Sequence, residues 1–225
     1  MERRPGRRRG ITAVVLLLLG SALIAGPTAF SLSRFTAVHV VSESMRPTLV
    51  DGDLLVMQKD PAVVHRGEIV LYDPADWGMP DLLIGRVVAV EGDRISYRKG
   101  DAAVALNGQP LEEPYVLEAA PGAGGVDFDV TVPRGRVFVL GDNRGNSADS
   151  RFHSERDGGT LPESAVVGVE FDQERPLALV IGLSVFAGMC LLPVGAGLGI
   201  AALVVRRRHR PVPPVHQVWG SARVE

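Results

Sequence analysis

Two uncharged apolar runs constrain this chain more than any other feature. From Gly10 to Ser33 there is no charged residue, and the run follows directly on RRPGRRRG. From Pro176 to Val205 the chain is again uncharged, and RRRHR follows at once. About 20 apolar residues suffice to cross a bilayer as a helix, because a helix satisfies its own backbone groups where water is absent. Pro27 falls where the first helix would be leaving the hydrocarbon. Ser21 to Ala25 also offers Ala-Xaa-Ala-like steps of a cleaved secretory signal. The run exceeds the ~7–15 residues of such a signal's apolar region, so we expect a retained span. The second run is too short for two crossings with a turn, although Pro193 and glycines 195, 197 and 199 invite a kink. A single crossing also keeps both arginine clusters on the cytoplasmic side.

Charge supports the same organisation. Residues 1–10 and 206–225 each carry five arginines against one acid, whereas 34–176 holds 24 acids and 14 Lys or Arg. The expected layout is a basic cytoplasmic N-terminus at 1–10, a span at 11–33, an extracytoplasmic domain at 34–176, a span at 177–205 and a cytoplasmic tail at 206–225. The tail, PVPPVHQVWGSARVE, has the composition of an unfolded end with local polyproline character. A lone cysteine, Cys190, rules out an intramolecular disulfide, so the domain must hold together by packing.

That domain reads as antiparallel β. TAVHVV, DLLVMQ, EIVLYD, LIGRVVAV, RISYR, VDFDVTV, RVFVL and VVGVEF are rich in β-branched and aromatic residues, and Gly, Pro or Asp punctuates the spaces between them. No helix of ten residues is expected within it, and 118–126, EAAPGAGGV, reads as a loop. The fold class expected is mainly β, an antiparallel sheet domain flanked by two transmembrane helices. No metal-ligand spacing and no phosphate-binding glycine loop is evident, and no metal, cofactor or nucleic-acid partner is expected.

Two polar runs carry chemistry. Val41 to Val56, VSESMRPTLVDGDLLV, places two serines two residues apart before Met-Arg-Pro-Thr, with Gly52-Asp53 behind them. Gly141 to Arg151, GDNRGNSADSR, follows almost a hundred residues later. Read alone, the second run is a good turn with an ordinary Asp-Arg salt bridge. Together and in this order, both resemble boxes of bacterial type I signal peptidases, the membrane-bound serine peptidases of family S26. The resemblance spans about residues 11–175.

The resemblance implies roles residue by residue. Ser44 corresponds to the nucleophile, and its backbone N–H with the Ser42 hydroxyl to the oxyanion hole. Pro47 and Thr48 correspond to the turn that aims the serine, and Met45 to a residue directed at the lipid-facing or substrate-facing surface. Ser147 corresponds to the serine that orients the general base, Asp149 and Arg151 to a supporting ion pair, and Gly141, Asp142, Asn143 and Arg144 to the loop beneath the site. His65 to Val70, HRGEIV, is similar to the family segment that opens a core strand.

One position departs. The family's general-base lysine falls on Gly85 in IGRVVAVEGD, and the histidine of the endoplasmic-reticulum branch is missing there too. The chain has only two lysines, Lys59 and Lys99. Arg86 stays protonated and cannot serve. Lys59, His39 and His153 are the substitutes to test, each against the plainer reading of a solvated side chain.

The resemblance implies cleavage of exported preproteins after small residues at the −1 and −3 positions, with signal peptides, the bilayer and the secretion machinery as partners. Three readings compete: an active peptidase with an unorthodox base, a silent paralogue that binds signal peptides or assists an active enzyme, and a β-rich membrane-anchored binding protein. A base within reach of Ser44 beside Ser147 would favour the first, and empty space over Gly85 the second.

Overall fold

The structure is a computed structural model that describes residues 7–116, 125–171 and 176–208. The chain forms two units, one of residues 1–30 with 174–225 and one of 31–173. The expected loop at 118–126 lies mostly outside the described residues, and the tail beyond Arg208 lies outside them entirely.

The first unit is a helix pair, α1 (Arg7–Arg34) and α2 (Pro176–Arg208). Both are long and apolar enough to cross a membrane, with mean hydropathies of 2.1 and 2.4. At 1.5 Å per residue they run for about 42 and 50 Å, beyond the ~30 Å of a hydrocarbon core. Pro27 and Pro193 lie inside them without ending either one. Small residues let the backbones touch, since a Cβ on Gly188 would stand 2.7 Å from the Gly20 carbonyl oxygen.

The second unit is β throughout, interrupted only by short 3-10 turns among the described residues. Its strands are β1 (Phe35–His39), β2 (Leu54–Lys59), β3 (Ile69–Tyr72), β4 (Leu83–Val90), β5 (Arg94–Tyr97), β6 (Ala105–Leu106), β7 (Gln109–Pro110), β8 (Phe128–Thr131), β9 (Arg136–Leu140), β10 (Leu161–Pro162) and β11 (Val166–Glu170). A seven-stranded sheet runs β1-β2-β11-β3-β4-β9-β10 and a four-stranded sheet runs β7-β6-β5-β8, with every pairing antiparallel.

Strands β3 and β9 are buried along nearly their whole length, which is why IVLY and RVFVL are apolar without alternation. Val70, Tyr72, Val87, Val137 and Val139 join one core with Trp77, while Phe138, Leu140, Val88 and Ala89 join another with Ile95 and Phe128 of the smaller sheet. Alternation along β9 feeds both cores. In β4 the register shifts between Val87 and Ala89, and this bulge lets Val88 and Ala89 face the same core. A third cluster takes Val40, Met45 and Leu49 from the loop after β1 and packs them on Leu55, Met57, Ile69 and Leu71. Met45 is fully buried there, which corrects its expected placement on a lipid-facing or substrate-facing surface. An apolar thioether in a serine loop gains more by anchoring that loop than by facing solvent.

Candidate active site

The Ser42–Ser44 loop is fastened at three levels. Its flanks close on each other, with Val40 N–H donating to the Asp53 carbonyl and Gly52 N–H to the Val40 carbonyl, both at 2.9 Å. Gly52 has φ +93°, a left-handed conformation that suits glycine at this turn. Met45 and Leu49 then drop into the core, and finally Asn143 clamps the top. Its backbone N–H donates to the Ser44 carbonyl at 2.9 Å and its side-chain amide to the Glu43 carbonyl at 3.0 Å. The two hydroxyls stand 3.0 Å apart, Ser42 Oγ to Ser44 Oγ. The Ser44 N–H donates to no other group among the described residues, and so remains free for a ligand.

Beneath the loop lies a network of buried charges. Asp142 takes a two-pronged contact from Arg86, at 2.9 Å from Nε and 2.6 Å from Nη2, and accepts the Thr48 hydroxyl at 2.5 Å. Burial disfavours the Arg86 cation, but the Asp142 hydrogen bond and charge outweigh it and hold its pKa above the ordinary arginine value. Arg144 is wholly buried and donates to the Gly141 carbonyl at 2.9 Å. It is also ion-paired with buried Glu113. Tyr115 donates to Glu113 at 3.1 Å and lies under the Arg86 guanidinium, 4.0 Å from its ring centre. Burial first, then the Glu113 charge, push the Tyr115 phenol well above its usual pKa.

Asp149 and Arg151 pair through two contacts of 2.8 Å. Asp149 also accepts from the Gly141 N–H at 3.0 Å, and Arg151 donates to the Arg144 carbonyl at 3.0 Å. Three cations and three anions thus neutralise one another under the serine loop, with their hydrogen-bonding groups largely engaged. Glu113 and Tyr115 were not singled out from the sequence.

Ser42, Ser44 and Ser147 open into one cavity of about 500 Å³, lined also by Tyr72, Leu83, Ile84, Ala148 and Phe152. Gly141 admits this approach because any Cβ there would collide with Ser147 Oγ and stand 2.7 Å from the Ser44 carbonyl oxygen.

The substitute bases lie elsewhere. The β1–β2 register pairs Phe35 with Gln58 and His39 with Leu54, so Lys59 is at the opposite end of the hairpin from Ser44. Its ammonium donates to the Leu32 carbonyl at 2.9 Å. The expectation that Lys59 reaches back to the serine is therefore corrected by strand register. His39 is exposed at the near end of the hairpin and does not line the cavity. His153 stacks flat on Trp77 at 4.4 Å, with Nε2 buried and without a hydrogen-bond partner. Burial lowers its pKa despite the nearby Asp149 charge. It too is absent from the cavity wall.

Gly85 sits within β4 opposite Val70. A Cβ on it would stand 2.5 Å from Val139 Cγ1 and 3.3 Å from Tyr72 Cε1. The space over Gly85 is filled, not empty. Tyr72, 1% exposed, borders the serine cavity, and its hydroxyl has no hydrogen bond among the described residues. Burial first, then the Asp149 charge, hold that phenol far above its usual pKa.

Residues 11–171 match the family model described as signal peptidase, peptidase S26. The chain is 34% identical over 167 residues to a probable signal peptidase I-1 of Synechocystis sp., covering 70% of this chain and 75% of that protein. It is 41% identical over 223 residues to signal peptidase I of Mycobacterium tuberculosis, covering 74% of this chain and 73% of that one. A crystal structure of a signal peptidase I from Enterococcus faecalis aligns over 49% of this chain and 98% of its own, at 27% identity and a TM-score of 0.39.

Proposed function

The chain belongs to the signal peptidase family, peptidase S26, and we propose that it is a membrane-anchored serine peptidase that removes signal peptides from exported preproteins, with Ser44 as nucleophile. The observation that carries this reading is the 3.0 Å approach of the Ser42 and Ser44 hydroxyls in a cavity shared with Ser147. In the reaction, Ser44 Oγ adds to the scissile carbonyl. The oxyanion that forms is met by the Ser42 hydroxyl and the free Ser44 N–H. Collapse expels the amine of the mature chain, and water then hydrolyses the acyl-enzyme. Small residues at −1 and −3 are the side chains we expect the cavity to select. Both chain ends are read as cytoplasmic, on the strength of the arginines at 3–9 and 206–208.

A second reading is favoured by Gly85: a silent paralogue that binds signal peptides or assists an active enzyme. The two are separated by following a preprotein with the full chain in detergent, while a labelled signal peptide reports binding. An active peptidase cleaves, and Ser44→Ala stops cleavage without weakening binding. A silent paralogue binds equally well with either residue and never cleaves. Neither binding nor cleavage would defeat both readings.

A further inference from the structure

The reaction proposed above needs a group that handles protons, and this inference rests on that reading. Among the described residues that line the cavity with Ser42, Ser44 and Ser147, only Tyr72 has a titratable side chain. Its ring occupies the ground over Gly85, with Cε1 3.3 Å from where a side chain there would begin. It is almost wholly buried, yet it lines the cavity, and its hydroxyl makes no hydrogen bond among the described residues. A phenol on the cavity wall that no protein group engages is free to meet the reacting groups inside it.

We propose that the Tyr72 phenol relays protons in both directions and so replaces the missing base. In acylation, Ser44 Oγ–H gives its proton to Tyr72 Oη as the Oγ–carbon bond forms. Tyr72 Oη–H gives its own proton to the leaving nitrogen as the carbon–nitrogen bond breaks. In deacylation, water gives a proton to Oη while Oη–H returns one to Ser44 Oγ. Tyrosine begins and ends each step neutral, and no tyrosinate accumulates. Neutrality suits this site, because burial and the Asp149 charge both oppose ionisation of the phenol. Ser147, pressed against Gly141 on the same cavity wall, is placed to help orient the relay.

The relay makes two predictions that a merely structural tyrosine does not. Tyr72→Phe keeps the ring and should lower kcat for preprotein cleavage by about 10²–10⁴-fold, the range for loss of general acid–base help, with signal-peptide binding within about twofold of wild type. The wild-type rate should also be flat from about pH 6 to 9, because no group of the relay changes charge there, whereas an amine or imidazole base imposes a rise through its own pKa. Both are measured on the full chain in detergent. Undiminished cleavage by Tyr72→Phe overturns the relay and leaves the peptidase reading standing. So does a wild-type rate that climbs through a pKa near 7, a result that does not depend on how the variant folds. No cleavage by the wild type at any pH overturns both.

Discussion

Gly85→Lys would place a lysine where the resemblance implies the family's general base, and the surrounding packing opposes it. The new Cβ would meet Val139 Cγ1 at 2.5 Å, and Val139 is completely buried. Forcing atoms into a filled core costs about 1–3 kcal/mol. An ammonium buried among Val139, Tyr72 and Val70 would also have to shed its charge. A pKa drop of ~3 units, within the range for buried lysines, costs about 4 kcal/mol at 1.36 kcal/mol per unit. Together these come to roughly 5–7 kcal/mol, comparable to the whole stability of many domains. For a chain of this size, at about 2–4 °C per kcal/mol, Gly85→Lys should melt roughly 10–28 °C below wild type. Val139→Ala removes both Cγ atoms and by itself costs about 2 kcal/mol in lost burial and cavity. Combined, the two should cost less than their sum by at least ~1 kcal/mol, because the lysine stem fills the space that the valine vacates. The assay is a four-protein melting cycle on the full chain in detergent, with preprotein cleavage measured in parallel. The double variant is expected to cleave with a rate that rises through an amine pKa. A Gly85→Lys single variant that melts within about 2 °C of wild type would refute the packing argument, since it would mean that the ground over Gly85 is open.

Two further substitutions test the frame around the site. Glu113→Ala leaves the Arg144 cation buried without its anion and should cost about 3–5 kcal/mol in unfolding free energy by urea titration, with Glu113→Gln closer to wild type. A loss under ~1 kcal/mol for the alanine would mean that solvent reaches Arg144. His153 tests a pH dependence whose sign follows from its lowered pKa. As pH falls through the ordinary histidine value near 6.5, the unfolded chain takes up the proton before the folded one, so stability declines. His153→Phe keeps the stack on Trp77 and removes this loss, so its melting curve should gain on wild type between pH 7.5 and 5. Parallel curves would mean that the imidazole titrates alike in both states.

How much of this was legible in the sequence depended on the distance over which each interaction acts. The serine loop and the closing run could be read because their chemistry is contiguous: Ser42 and Ser44 are two residues apart, and Asp149 grips Arg151 across the same gap. The hairpin of β6 and β7 carries a local signal in the sequence. Asn107-Gly108 takes positive φ at both residues, 54° and 81°, the backbone that an Asn-Gly turn favours. Glu113 was not legible, because its partner lies 31 residues along the chain and only the packing of the 111–116 segment on the closing run brings them together. Lys59 looked plausible for the opposite reason, since chain proximity suggested reach while strand register denied it.

Gly85 combines both cases. The resemblance implies a side chain missing there, but the sequence does not reveal that two residues from neighbouring strands occupy its ground. Val139 reaches Gly85 from β9, and Tyr72 from β3, on the two sides of β4 in the sheet. A lysine lost without compensation would leave a void, with the cost that voids carry in a core packed as densely as an organic crystal. Here the void is absent, and one of the residues filling the ground, Tyr72, lines the serine cavity. The proposed relay places catalytic capacity in the side chain that fills the ground over Gly85, and exchanging the Tyr72 hydroxyl for hydrogen is the smallest change that tests it.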